Sequence, residues 1–185
     1  MINVNDFKVG QTITYEGNIY QVLEFQHVKP GKGAAIVKAK LKNLRTGSIA
    51  EYSFGAGTKV PRAHISKQSM QFMYKTGSTY SFMNMETYEQ IDLDESQIVN
   101  EAKYLKEGLE IFVIFYESEM LGVELPEKID FKITKTEPAI KGNTATNATK
   151  DAIIETGMLV RVPLFIEEGE EIIVSTKDGK YVSRK

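Results

Sequence analysis

The chain has 185 residues, 42% apolar and 26% charged, with a formal net charge of −2, ordinary globular composition that allows one domain or two or three small ones. It has no cysteine and only two histidines, His27 and His64, so disulfides, thiolate metal sites and thiol catalysis are excluded and neither a metal nor a cofactor is expected. No apolar run approaches the roughly 20 residues of a membrane span, and Met1-Ile2-Asn3-Val4-Asn5-Asp6 lacks the pattern of an export signal, so a cytoplasmic protein without membrane contact is expected.

From the N-terminus on, the first third reads as an all-β unit. Residues 11–15, 19–28, 34–44 and 48–54 are strand-like, with turns at Glu16-Gly17-Asn18 and Arg45-Thr46-Gly47. Within the third segment Ala35, Val37, Ala39 and Leu41 alternate with Lys38, Lys40 and Lys42, a period of two that marks one buried and one solvated face. Between the second and third segments stands Lys29-Pro30-Gly31-Lys32-Gly33. Pro30 presets its own φ, and Gly31 and Gly33 permit positive φ and leave no side chain beside the lysine. The expected product is a thin finger with one ammonium, Lys32, at its tip; the competing reading is an ordinary tight turn that happens to hold a lysine. The unit is expected to end near Lys59-Val60-Pro61-Arg62.

Residues 70–74, 79–83 and 87–93 read as three further strands. A short helix is expected next: Asp94 suits the N-cap with Gln97 three residues on, Ile98, Ala102 and Leu105 recur at i, i+4 and i+7, and Gly108 follows. Residues 110–116 and 120–125 then read as strands. Three strands, a helix and two strands is the order of an OB-fold. The remainder is again strand-rich, over 130–137, 152–155, 158–165, 171–176 and 181–184, with a polar stretch at 141–150. The expected organisation is therefore all-β: three small barrels in a row, over 1–63, 64–127 and 128–185, with one short helix in the middle domain. Units of this size bury only about 60% of their unfolded surface, so mutual support is expected.

Charge is unevenly spread. The first third has an excess of Lys and Arg, the middle third a strong excess of Asp and Glu, and the last third is near balance. Lys29, Lys38, Lys40, Lys42 and Arg45 cluster around the finger and are candidates for contact with RNA phosphates. Glu167-Glu168-Gly169-Glu170-Glu171 has no histidine partner and reads as a solvated turn.

These motifs, in this order, resemble those of the elongation factor P family over the whole chain. The residues that carry the likeness are Asn5-Asp6-Phe7, Phe25-Gln26-His27-Val28-Lys29-Pro30-Gly31-Lys32-Gly33, Lys40-Leu41-Lys42-Asn43-Leu44-Arg45-Thr46-Gly47, Met70-Gln71-Phe72-Met73-Tyr74, Gly122-Val123-Glu124-Leu125-Pro126, Glu137-Pro138-Ala139-Ile140-Lys141-Gly142 and Tyr181-Val182-Ser183-Arg184. The resemblance implies a bacterial translation factor, a KOW-like (SH3-like) barrel followed by two OB-fold barrels. It implies binding to the ribosome between the peptidyl-tRNA and exit sites, where the lysine finger approaches the acceptor end of the peptidyl-tRNA and relieves stalling at consecutive prolines. Partners implied are ribosomal RNA and proteins, peptidyl-tRNA, and an enzyme that modifies Lys32, for which family members use a β-lysyl or an aminopentanol group. The factor would act as a monomer and not as an enzyme. Tyr181 and Arg184 resemble a Tyr-x-x-Arg pair suited to stacking and phosphate. The loop Gly142-Asn143-Thr144 resembles a Gly-Asp-Thr motif for small-subunit contact, with Asn in place of the acid.

A different class, a free single-stranded RNA-binding OB-fold protein, needs aromatic platforms in a basic groove. The acidic middle third disfavours it, and no nucleophile–base pair, phosphate loop or metal signature points to an enzyme.

Overall fold

The computed structural model describes residues 1–138 and 148–185. By internal contacts the chain forms two compact units, Met1–Gln68 with Val113–Gly122, and Ser69–Phe112 with Val123–Lys185.

The first unit begins with β1 (Ile2–Asn3), a 3-10 turn over Val4–Asp6, and four strands, β2 (Thr12–Tyr15), β3 (Asn18–Val28), β4 (Ile36–Asn43) and β5 (Ile49–Gly55). These four form an antiparallel sheet in sequential order. The β2–β3 turn places Glu16 at φ 50° and Gly17 at φ 79°, the paired positive values of a type I′ hairpin whose twist matches that of its strands. The expected alternation on β4 is present: Val37, Ala39 and Leu41 are fully buried. They pack with Ile13, Val22 and Phe54, and Phe54 meets Phe7 and Tyr15 edge-on at ring distances of 5.9 and 5.1 Å.

Two closures had no signal in the sequence. Lys59–Val60 (β6) pairs with β1 through Ile2↔Val60 and Asn3↔Lys59. Beyond Pro61 the chain stays tied to β2: the Thr12 hydroxyl donates to the Ala63 carbonyl at 2.6 Å, and the Ala63 amide donates to the Thr12 carbonyl at 2.9 Å. Such long-range pairs satisfy backbone groups that burial would otherwise strand.

Strand β7 (Ile65–Thr76) runs on into the second unit, where it pairs with β8 (Thr79–Asn84), and β8 pairs with β9 (Gln90–Asp94). Phe72, Tyr80, Phe82 and Leu93 are buried there. The helix expected from Asp94 does not form. Its start is as expected, since Asp94 accepts from the Ser96 amide at 3.0 Å and the Gln97 side chain accepts from the Asp94 amide at 2.9 Å. The chain then makes two separate 3-10 turns, Glu95–Gln97 and Ala102–Tyr104. Ile98 leaves the helical region at φ −134°, ψ 39°, and both it and Tyr104 are buried. Six residues apart, they cannot share one face of an α-helix. Val99 and Asn100 are weak helix formers, and so short a segment is only marginally helical by itself. Burial therefore overrides the pattern.

Strands β10 (Glu110–Tyr116) and β11 (Glu119–Glu124) follow, and then the C-terminal sheet. Its strands are β12 (Lys128–Thr136), β13 (Thr149–Ile154), β14 (Leu159–Pro163), β15 (Glu171–Ser175) and β16 (Tyr181–Arg184), antiparallel in the order β14-β13-β12-β15-β16. Inward-facing Phe131, Ile133, Ile154, Val162 and Ile172 make its core, and Tyr104 from the second 3-10 turn is packed into the same cluster. Around this contact the Thr156 hydroxyl donates to the Lys103 carbonyl at 2.7 Å. Lys106 donates to the Asp130 carbonyl and pairs with its carboxylate at 3.3 Å. Asp130 also accepts from Lys185 at 3.0 Å, and its pKa is lowered mainly by that bond and further by Lys106. Among the described residues the protein is all-β, with 3-10 turns as its helical elements.

Candidate nucleic-acid interface

The β3–β4 hairpin carries the finger. Its last register pair is Val28↔Ile36, and the residues from Lys29 to Ala34 between them are exposed. Among the described residues Lys32 has no hydrogen-bond or ion-pair partner, so its ammonium is free to meet an external acceptor. The two flanking glycines differ. Gly33 stands at φ +113°, whereas Gly31 has no positive φ and nothing within 4 Å of where a Cβ would stand. Of the two glycines that permit positive φ, Gly33 uses that freedom and Gly31 does not, because one left-handed residue suffices to reverse the chain beside Pro30.

This asymmetry makes a prediction. Gly33→Ala carries a backbone cost on the order of 1–2 kcal/mol at such a φ, so the loop is expected to re-form elsewhere and finger-dependent activity to fall. Gly31→Ala is expected to leave the melting curve of the free protein unchanged. An activity loss in Gly31→Ala would then report close approach of a bound partner, and a shifted melting curve would contradict the geometry.

Lys38, Lys40 and Lys42 share the outer face of β4. Cross-strand register sets Lys40 between Glu24 on β3 and Glu51 on β5, whereas Lys38 lies between Gln26 and Ser53. Paired opposite charges at such spacing attract, so the stripe is less cationic at Lys40 than the sequence of β4 alone implies. Lys29 is exposed beside the tip.

Arg45 is occupied within the first unit. Its Nε and Nη2 donate to the two Glu119 carboxylate oxygens, each at 3.0 Å, and Nη1 donates to the Gly17 carbonyl at 2.9 Å. This two-pronged geometry is specific to guanidinium, and the hydrogen bond from Arg45 is the chief cause of a lowered Glu119 pKa. A depressed carboxylate contributes stability above its unfolded pKa and loses it as pH falls through the folded one. The coupling of Arg45→Met with Glu119→Gln in a double-mutant cycle is therefore expected at neutral pH and expected to vanish in acid below the lowered pKa. Equal coupling at both pH values would exclude the ion pair as its source.

Tyr181 is half-buried and packs on the C-terminal core. Arg184 is exposed, pairs with Glu170 and lies over the Phe165 ring at 5.4 Å. Glu170 in turn accepts from the Glu167 amide at 3.0 Å, the main reason its pKa is lowered. Gly142, Asn143 and Thr144 lie outside the described residues. Phe25 and His27, part of the family-like motif but not among the candidate site residues, meet edge-to-face at 5.9 Å on the hairpin. Both are exposed, and the signal was available in their i, i+2 spacing on the finger's own strand.

Three family descriptions match consecutive stretches: "Elongation factor P (EF-P) KOW-like domain" at residues 3–60, "Elongation factor P (EF-P) OB domain" at 65–123, and "Elongation factor P, C-terminal" at 129–184. Among solved structures, the eukaryotic translation initiation factor 5A from Methanococcus jannaschii is 23% identical with a TM-score of 0.50, over 66% of this chain and 94% of that one. A translation initiation factor 5A family protein from Naegleria fowleri is 16% identical with a TM-score of 0.47, over 67% and 96%. The first likeness shows a shared fold. The three family matches, together spanning nearly the whole of this all-β chain, define a translation elongation factor. It belongs to the elongation factor P family. Among the described residues no helix is long and apolar enough to cross a membrane.

Proposed function

We propose that this protein binds the ribosome between the peptidyl-tRNA and exit sites and stimulates peptide-bond formation at consecutive prolines, with Lys32 steadying the acceptor end of the peptidyl-tRNA. The observation that carries this reading is a lysine with no partner among the described residues, at the tip of a hairpin whose glycine at position 33 is in a left-handed conformation. Proline is a constrained secondary amine, and reacting groups that seldom reach attack geometry lose rate through misorientation. Positioning alone can supply about 7–11 kcal/mol in favourable intramolecular cases, so a factor that holds the acceptor end still needs no acid, base or nucleophile of its own. A compact ammonium on a flexible stem suits contact with phosphate or ribose oxygens.

On this reading Lys29, Lys38 and Lys42 contact RNA phosphates beside the finger, Lys40 more weakly. Arg45 and Arg184 reach RNA only by exchanging their carboxylate partners for phosphate, and Tyr181 offers its exposed edge. Gly142-Asn143-Thr144 contacts the small subunit. The protein acts as a cytoplasmic monomer of three domains, 1–63, 64–127 and 128–185, and Lys32 is the substrate of a modifying enzyme that extends its reach. Electron microscopy of the factor on a ribosome stalled at consecutive prolines tests the reading. Residue 32 is expected within contact distance of the peptidyl-tRNA terminus, and a side chain directed into bulk solvent would refute it.

A further inference from the structure

We infer that Phe25 and His27 form a stacking platform for an unpaired nucleobase of the RNA that the lysine finger approaches, an inference that rests on the ribosomal reading above. Among the described residues theirs is the one ring pair with both members exposed; in every other pair at least one ring is buried or both are half-buried. Register explains why. After an irregularity between Val22 and Glu24, Phe25 lies opposite Ala39 and His27 opposite Val37. Ala39 and Val37 are fully buried, yet Phe25 remains 36% exposed. The two rings therefore continue the apolar face of the hairpin past the core that would cover them, on the opposite face from Lys38 and Lys40.

The charge around them selects the occupant. The cations near the rings without an acidic neighbour in register are Lys29 and Lys32 on the hairpin loop and Lys38, opposite Gln26 and Ser53, whereas Lys40 stands between Glu24 and Glu51 and Arg45 is paired with Glu119. A basic protein segment is repelled by this surface, whereas aromatic faces beside cations are the recognition chemistry of unpaired RNA. The edge-to-face contact, at 5.9 Å and an interplanar angle of 89°, holds each ring against the other before any ligand arrives, which reduces the ordering cost of binding. The hairpin thus offers two faces to RNA, with lysines for phosphate on one and rings for a base on the other.

The test uses the full-length protein on ribosomes holding a peptidyl-tRNA stalled before a proline codon, with affinity and base-selective chemical probing of the RNA as readouts. F25A/H27A is expected to weaken binding about tenfold, within the range supplied by stacking one base, and to re-expose a nucleotide that the wild type protects. F25Y/H27F keeps both ring faces and is expected to restore affinity and protection. Wild-type affinity and an unchanged footprint for F25A/H27A would overturn the platform, as would F25Y/H27F behaving like the alanine variant. Protection of a ribosomal protein in place of a base would overturn it as well. K32A leaves the rings intact and separates the two ideas. If K32A still relieves the stall, the finger mechanism fails while the base protection by Phe25 and His27 stands or falls on its own variants.

Discussion

Lys32→Ala is expected to abolish relief of stalling on a consecutive-proline reporter while leaving the thermal melting curve unchanged. The structural half follows from exposure: Lys32 touches no partner among the described residues, so its truncation costs the fold nothing. The functional half follows from what one ammonium supplies. A charge-assisted hydrogen bond contributes about 1.5–3 kcal/mol, and confined to the reacting geometry it corresponds to about ten- to a hundredfold in rate. Lys32→Arg sharpens the test, because it keeps the charge and removes the amine that a modifying enzyme would extend. Full activity of Lys32→Arg would make charge alone sufficient, and full activity of Lys32→Ala would remove the finger from the mechanism.

The second large effect is on stability. Tyr104→Ala is expected to destabilise the second unit by about 3 kcal/mol, by analogy with truncation of other buried aromatics, and to lower its transition by about 10 °C or more. Tyr104 is 4% exposed and belongs to the core cluster of the C-terminal sheet although it comes from a turn before β10. Its hydroxyl stands 3.0 Å from where a Cβ at Gly179 would be, and Gly179 itself is at φ +72°. Space and backbone conformation there are thus both fitted to the tyrosine. Tyr104→Phe is expected to melt near the wild type, since the hydroxyl has no hydrogen-bond partner among the described residues. A wild-type transition for Tyr104→Ala, followed calorimetrically, would show that the ring is not part of the C-terminal core.

Much of this protein is legible in its residues because strands declare themselves locally. The period of two over Val37, Ala39 and Leu41, the Glu16-Gly17 turn and the Asp94–Gln97 capping box all act over a few residues, and each is found where expected. Beyond Asp94 the helical spacing of Ile98, Ala102 and Leu105 does not produce a helix, because Ile98 is buried with non-helical backbone angles and Tyr104 is packed into the C-terminal core from a separate turn. Lys40 reads as one more cation until register shows Glu24 and Glu51 beside it. Arg45 looks like a free surface charge until Glu119, distant in sequence, closes on it.

Sequence alone therefore determined the all-β class, the longer strands, the hairpin with its cationic tip and the family likeness, since these rest on local backbone preference and short-range spacing. Only the tertiary structure decided which charges are already neutralised, that Gly33 and not Gly31 carries the left-handed turn, and that Phe25 and His27 stand uncovered beside the finger. The physical reason is that pairing register and burial depend on contacts between residues far apart along the chain, which no local pattern encodes.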